Sequence, residues 1–388
     1  MKKKRVAVLV EASIYERKGL FNAVYNRCLY LKKIAAYDVD IYLLSSYKGL
    51  IASVLSDEKA PDRPDRYDVG DLDYRILWRK KSIIDYILYH KLGRRELFHS
   101  KYNKQISILF KDYDLLDIHS GGGETALEVK KRYNIPFIVT WHGSDIHTAP
   151  LHDAWTRALT KTILENAYCN CFVSKALKIE AEKLGEIKKS EILYNGVSDS
   201  FYTYPVDKRN ELRSSYSVEH CKVVAFVGNV IPVKNPESLA SIFSIITKLY
   251  KSPVKFWVIG DGELRPSVEQ QMKQFNVDCV FWGNQPASEM SKYFQCIDVL
   301  TVPSRNEGLS LVSAEAIRCG ANVVGSKVGG IPEVIGEENC VVLKDGYEQV
   351  FAEKAVCFLR HKREQSLPDY INWAVTAEKE NSIIMELL

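Results

Sequence analysis

The sequence predicts an α/β protein of two domains, each a parallel sheet with helices on both faces. Three observations predict it. Apolar strand patterns alternate with helical patterns almost throughout, as strand–helix–strand crossovers require. Several strands run straight into glycine-bearing loops, at Gly121-Gly-Gly123, Gly143, Gly228, Gly260 and Gly283. The 388 residues exceed one small domain, and the polar stretch Tyr202–Ser217 is the linker candidate.

Composition sets the class. Apolar residues make up 46% and charged residues 26%, as in a soluble globular protein. No apolar run reaches the ~18–20 residues that a spanning helix needs. The start, Met-Lys-Lys-Lys-Arg, imitates a signal peptide, yet Glu11 closes the apolar run Val6–Val10 too early for one. The nine cysteines form no framework, and Cys169-x-Cys171, on alternate residues of a strand, makes no metal site. A reducing cytosol fits.

In chain order, Arg5–Val10 is the first strand, and a helix follows from about Leu20 to Lys33. A glycine before the first helix is where such folds admit phosphate, so Gly19, preceded by Arg17 and Lys18, is a candidate. Val39–Leu44 and Asp114–His119 are strands, the latter followed by a helix from Glu124. Phe137–Trp141 runs into His142-Gly-Ser-Asp145, which places His142 between a buried strand and a glycine loop. His119 reads as lining or packing. The helix 153–167, strand Cys171–Ser174, helix 175–184 and strand Glu191–Tyr194 complete this half. Asp38-Val-Asp40 and Asp112-Tyr-Asp114 spell the D-x-D metal motif, but at a strand edge and in a turn, and read as structural.

Residues 75–104 stand apart. Arg75, Arg79, Lys80, Lys81, Lys91, Arg94, Arg95, Lys101 and Lys104 face only Asp85 and Glu96, nine against two, an excess above the +4 of the whole chain. Interleaved apolar and aromatic residues make this a basic helix suited to an anionic membrane surface. With overall charge nearly balanced and no binding motif, nucleic acid is not an expected partner.

The second half opens with Val223–Val227, then Gly228, Asn229 and Lys234 before a helix from Pro236. A strand ending in glycine, a lysine-bearing loop and a proline at the first helical position make a phosphate cradle. Val254–Ile259 leads to Gly260-Asp-Gly262, where Arg265 breaks the dinucleotide fingerprint. Val280–Gly283 turns at Asn284. Asp298–Val302 is a short strand stopped by Pro303. The loop Ser304–Gly308 leads into a helix, Ser310–Cys319, with Val312, Ala316 and Cys319 as its apolar stripe and Gly320 as its left-handed stop. The amides of Gly308, Leu309 and Ser310 lie at the positive end of that helix, a ready anion site. Glu307 sits beside it and Glu315 about one and a half turns further on. Amides there suit a diphosphate and the two carboxylates suit hydroxyls, at about 1.5–3 kcal/mol per charge-assisted bond. Helices Tyr347–Arg360 and Asp369–Leu387 close the chain.

The string Pro303-Ser304, Glu307-Gly308, Glu315-Ala316, Gly320 and Gly329-Gly330 resembles the signature of the retaining glycosyltransferases of family 4, which carries two glutamates separated by seven residues. His142-Gly-Ser-Asp145 resembles that family's H-G-x-D element, and Asn195-Gly-Val197 the turn that ends its first domain. The resemblance implies the GT-B arrangement, two Rossmann-like domains facing across a cleft. They would be residues 1–203, with the helix 369–388 crossing back onto them, and residues 204–368. It also implies transfer of a hexose-type sugar, with retention, from a nucleotide diphosphate sugar such as a UDP-sugar. The acceptor would be a saccharide or lipid-linked molecule in surface polysaccharide or glycolipid assembly. Glu307, Lys234 and His142 would be catalytic. Gly19, Gly228, Asn229, Lys234, Gly260, Gly283, Asn284, Glu307, Gly308, Leu309, Ser310 and Glu315 would bind the donor, Glu315 through the ribose. No metal or cofactor is expected, and the protein would be cytoplasmic, with residues 75–104 against the inner face of the plasma membrane. Two departures stand out. Asn229 replaces the family's arginine, so that either Arg17, Lys18 or Arg305 compensates or leaving-group stabilisation is weaker, and Ser310 replaces a glycine, narrowing the approach to the sugar. A nucleotide-sugar epimerase or phosphorylase of the same architecture, and a membrane-surface scaffold with a degenerate sugar site, stay open as alternatives.

Overall fold

The computed structural model describes residues 3–12, 19–48, 62–81, 99–361 and 365–388. The chain divides into two units, residues 1–195 with 373–388, and residues 196–372.

The first unit is a sheet of strands β1 (Arg5–Glu11), β2 (Asp38–Lys48), β3 (Arg66–Val69), β4 (Leu72–Lys81), β5 (Leu115–His119), β6 (Phe137–Trp141), β7 (Cys169–Phe172) and β8 (Ser190–Ile192). Their order is β3-β4-β2-β1-β5-β6-β7-β8, parallel except for the β3–β4 hairpin. Val6–Val10 are at most 1% exposed, because a central parallel strand is covered on both faces and must be apolar at every position. The helices Gly19–Ile34 and Trp373–Met385 pack on this sheet, and Leu31, Ile383 and Ile384 share one core with Val6 and Ile138.

The second unit is wholly parallel: β9 (Lys222–Val227), β10 (Val254–Ile259), β11 (Cys279–Gly283), β12 (Val299–Val302), β13 (Asn322–Ser326) and β14 (Cys340–Val341), in the order β11-β10-β9-β12-β13-β14. Its core runs between the sheet and the helices Leu239–Leu249 and Tyr347–Arg360, with Phe243 stacked on Phe256 at 4.5 Å between ring centroids.

Four expectations are corrected. Residues 196–203 belong to the second unit, not the first. Phe201 packs on Phe294 at 5.9 Å, Tyr204 N donates to Gln295 Oε1 at 3.0 Å, and Thr203 Oγ1 donates to the Arg318 carbonyl at 3.2 Å. The linker candidate is in fact largely a helix, Val206–Ser215. It is polar on most sides but pinned by Arg213, only 6% exposed, which donates to the carbonyls of Val218 and Cys221 at 2.9 and 2.5 Å. The basic segment 75–104 is not one helix. Its first seven residues end strand β4, residues 82–98 lie outside the described residues, and a helix spans His99–Ile106. The final helix begins at Trp373 rather than Asp369, and the Tyr370 hydroxyl donates to the Glu333 carbonyl at 2.6 Å, within the second unit.

Three of the four aspartates of the D-x-D strings are held by neighbouring cations. Asp40 accepts from Arg5 at 2.7 Å and Tyr113 at 2.6 Å and pairs with Arg75 at 3.1 Å. Asp38 pairs with Lys3, and Asp114 accepts from the Lys4 ammonium and the Arg5 amide.

Candidate active site

In an open parallel sheet a ligand crevice forms outside the carboxyl ends of the strands where their order reverses. In the second unit that point lies between β9 and β12, since β10 and β11 lie to one side of β9 and β13 and β14 beyond β12. Two loops flank it. The loop after β9 carries Lys234, in a single turn Pro232–Lys234, and the loop after β12 carries Glu307. The Lys234 ammonium donates to Glu307 Oε1, to which Ser304 Oγ also donates, at 3.1 Å. The Lys234 and Glu307 side chains are 26% and 12% exposed.

The backbone around this pair is tightly fixed. Arg305 N donates to the Val233 carbonyl at 2.8 Å, joining the two loops. Gly330 N donates to the Glu307 carbonyl at 3.2 Å. Gly329 sits at φ +50° with its α-carbon so close to Glu307 that a β-carbon would lie 1.9 Å from the Glu307 carbonyl oxygen. Only glycine meets both the conformation and the space, so the glycine pair holds the Glu307 loop from behind.

The helix that follows spans Leu311–Arg318 and ends as expected at Gly320, φ +89°. Its buried face is Ser313, Ala314, Ala316 and Ile317, with Val312 only partly buried, so the expected stripe was rotated by one residue. Among the described residues the amides of Gly308, Leu309 and Ser310 donate to no protein acceptor. Ser310 does not crowd them: it is 1% exposed and its hydroxyl bonds the Ser313 hydroxyl at 2.7 Å. Glu315 pairs with no cation among the described residues, and burial pushes its carboxyl up to about 8. Arg305, the one of the three candidate compensating cations within the described residues, is held in the loop. Its guanidinium donates to the Pro232 carbonyl at 2.8 Å and lies 3.7 Å from Glu237. Arg17 and Lys18 lie outside the described residues, and Asn229 is exposed.

Gly228, Gly260 and Gly283 interlock behind the loop. Gly260 N donates to the Gly283 carbonyl at 2.8 Å, and a β-carbon on Gly260, at φ +126°, would lie 2.1 Å from the Gly228 carbonyl oxygen. These glycines set the spacing of the loops after β9, β10 and β11, and Asn284 is exposed beside them.

In the first unit the strand order reverses between β1 and β5. Gly19 opens its helix at this end with open space around its α-carbon. His142 follows β6, and Asp145 fixes its backbone by accepting from the amides of His142, at 2.9 and 3.1 Å, and Gly143, at 2.8 Å. Burial, His119 and Arg27 together hold the His142 imidazole well below the ordinary histidine value, so it is neutral near pH 7. His142 Nε2 lies 3.2 Å from His119 Nδ1.

His119 opens onto a group that sequence reasoning missed. Arg27, Asp117 and Glu380, each at most 1% exposed, lie behind it, from three separate elements. Asp117 sits in the apolar strand Leu115–His119 and Arg27 on a face with Val24, Cys28 and Leu31. Charges inside otherwise apolar patterns were the available signal.

Residues 19–201 match the family described as Glycosyltransferase Family 4, and residues 221–361 match Glycosyl transferases group 1. TuaC of Bacillus subtilis (strain 168), a glycosyltransferase named for teichuronic acid biosynthesis, is 25% identical over 65% of this chain and 62% of its own. A D-inositol 3-phosphate glycosyltransferase of Segniliparus rotundus is 32% identical over 32% of this chain and 29% of its own. The chain thus spans less than two thirds of the length of these curated relatives. Among solved structures, sucrose-phosphate synthase of Thermosynechococcus elongatus aligns at TM-score 0.70, 16% identity, 99% of either chain. HepE of Anabaena, in complex with UDP and glucose, aligns at 0.66, 14% identity, 99% of this chain and 97% of its own. The fold is GT-B, and the chain belongs to the family 4 glycosyltransferases, the glycosyl transferases group 1.

Proposed function

We propose that the protein transfers a hexose-type sugar from a nucleotide diphosphate sugar, with UDP as the carrier, to a saccharide or lipid-linked acceptor, with retention of anomeric configuration and without a metal. Surface polysaccharide or glycolipid assembly is the setting this suits. The observation that carries the reading is the meeting of Lys234, Glu307 and three unpaired amides, Gly308 to Ser310, at the strand-order reversal of the second unit. The presence of UDP with glucose in HepE, a neighbour of the same fold, supports the choice of carrier.

In this reading the free chain stores Lys234 against Glu307. An arriving diphosphate draws the ammonium away, and the released Glu307 carboxylate turns to the sugar hydroxyls. The amides and Lys234 stabilise the charge that grows on the departing phosphate, which is where electrostatic catalysis acts. The bond from the anomeric carbon to the phosphate oxygen breaks, the bond to the acceptor oxygen forms on the same face, and the acceptor proton passes to the departing phosphate oxygen. Glu315 takes the ribose hydroxyls and His142, as a neutral imidazole, the donor sugar.

Calorimetry with UDP, GDP and their glucose conjugates tests the reading. UDP compounds give the larger heat, and free UDP is released from the UDP-sugar only when an acceptor is present. No heat with any nucleotide sugar would return the protein to the scaffold reading, and turnover without acceptor to an epimerase or phosphorylase.

A further inference from the structure

Asp117, His119 and Glu380 bring their polar atoms within 4.8 Å of one another in a space closed to solvent. Among the described residues, both Asp117 oxygens, both Glu380 oxygens and His119 Nε2 have no hydrogen-bond partner within normal distance. Burying that many polar atoms unpaired is expensive, and burying two unpaired carboxylates more so. Among the described residues one permanent cation faces them: Arg27 Nη1, 3.5 Å from Glu380 Oε1, while Arg27 also donates to Thr140 Oγ1 at 2.8 Å and the Leu193 carbonyl at 3.1 Å. Of the other titratable neighbours, Cys28 and Tyr37 are held neutral by burial and by these carboxylates, and Cys171 by its bond with Cys169 and by burial.

Arg27 balances one negative charge, and burial pushes the Glu380 carboxyl up to about 8, so near pH 7 the two carboxyls keep one proton and carry one charge. Two like charges this close do not both ionise. Burial pushes Glu380 up, Arg27 pulls it back and Asp117 pushes it up again. His119 Nε2 lies 3.5 Å from Asp117 Oδ2 and 3.9 Å from Glu380 Oε1. With that one proton held between Asp117 and Glu380, the oxygens nearest the ring are acceptors; a bare ring nitrogen facing them would be repelled, whereas an N–H is attracted, so the His119 proton sits on Nε2. Nδ1 is then left as an acceptor, and the partner it faces at 3.2 Å is His142 Nε2.

We propose that His119 is a positioning residue that fixes the tautomer of His142: the proton held on His119 Nε2 by the Asp117–Glu380 pair forces His142 to donate through Nε2–H and to present a bare Nδ1. The outward nitrogen of His142 is therefore an acceptor, suited to a hydroxyl of a bound sugar and not to a phosphate oxygen. The choice of ligand rests on the sugar-transfer reading; the proton positions do not.

Nitrogen-15 NMR of the full chain reads them directly at pH 7. In the wild type His142 Nε2 carries the proton and Nδ1 gives the shift of an unprotonated ring nitrogen. Glu380→Gln, whose amide N–H replaces the carboxyl proton, keeps that pattern, whereas His119→Phe gives a mixture of tautomers. In transfer assays His119→Phe lowers kcat about tenfold or more and moves the donor KM less than about twofold. A wild-type His142 protonated on Nδ1 overturns the proposal. So does a stoichiometric divalent ion that co-purifies and whose removal changes the imidazole signals. If the tautomer stands as described but no nucleotide sugar binds, the sugar-transfer reading fails and the proton assignment survives.

Discussion

Lys234 and Glu307 are an ion pair formed across 73 residues of sequence, one partner from each loop that borders the strand-order reversal. Replacing Lys234 with Ala removes the cation expected at the leaving group and leaves Glu307 held by Ser304 alone. Transfer falls by about 10²–10³-fold. Stability falls by about 1 kcal/mol or less, since the pair is partly solvated. Steady-state rates beside thermal melts separate the two effects.

Gly329 carries the opposite signature. Alanine there meets a left-handed φ and a β-carbon 1.9 Å from the Glu307 carbonyl oxygen. The loop must move, at about 1–3 kcal/mol of strain. Gly329→Ala therefore weakens UDP binding and lowers the melting temperature together, and calorimetry that found full affinity in a destabilised protein would dissociate Gly329 from the Glu307 loop.

Glu315 gives a pH dependence. Burial raises its folded-state value to about 8, so the folded chain binds the proton more tightly than the unfolded chain does. Stability from this group is intact below the ordinary carboxylate range, near 4–5, and is lost as pH rises toward 8. Glu315→Gln lacks the loss. The melting temperature of the variant gains on the wild type between about pH 5 and pH 8 and then runs parallel to it. A difference independent of pH would contradict the assignment.

A chelator leaves the transfer rate unchanged, and restoration of a lost rate by added divalent ion would refute the metal-free reading. The companion variant is Asp40→Asn. Arg5, Arg75 and Tyr113 hold the Asp40 carboxyl below its ordinary value. Its stabilisation is present above that value and is lost as pH falls through the folded one. Asp40→Asn is less stable by about 1 kcal/mol at pH 7, the gap closes in acid, and the rate is unaffected.

Alternation and glycine loops were enough to read β1, β2 and β5 to β12, because buried parallel strands are largely apolar, but β3, β13 and β14 went unread and the basic residues of β4 were taken for a helix. The string from Pro303 to Gly330 was read through its family resemblance, and the close backbone approach at Gly329 gives the glycine pair in it a structural reason. What stayed hidden was set by partners far along the chain. Nothing local marks Arg213 as the pin of a helix, since its acceptors lie at Val218, Cys221 and beyond. The apolar face of Leu311–Arg318 was misread because small polar residues, Ser313 among them, fill it. Asp117 and Glu380 meet Arg27 only once the helix Trp373–Met385 has folded back.

That return has a consequence for biosynthesis. A ribosome releases β1 to β8 long before it has made Glu380, Ile383 and Ile384. Until then the nascent first unit carries an uncovered apolar surface around Val6 and Leu31 and an Arg27 lacking its carboxylate. The second unit is contiguous in sequence and completes itself first. The half that emerges earliest is the last to mature, and a chaperone would find its longest-lived client surface there.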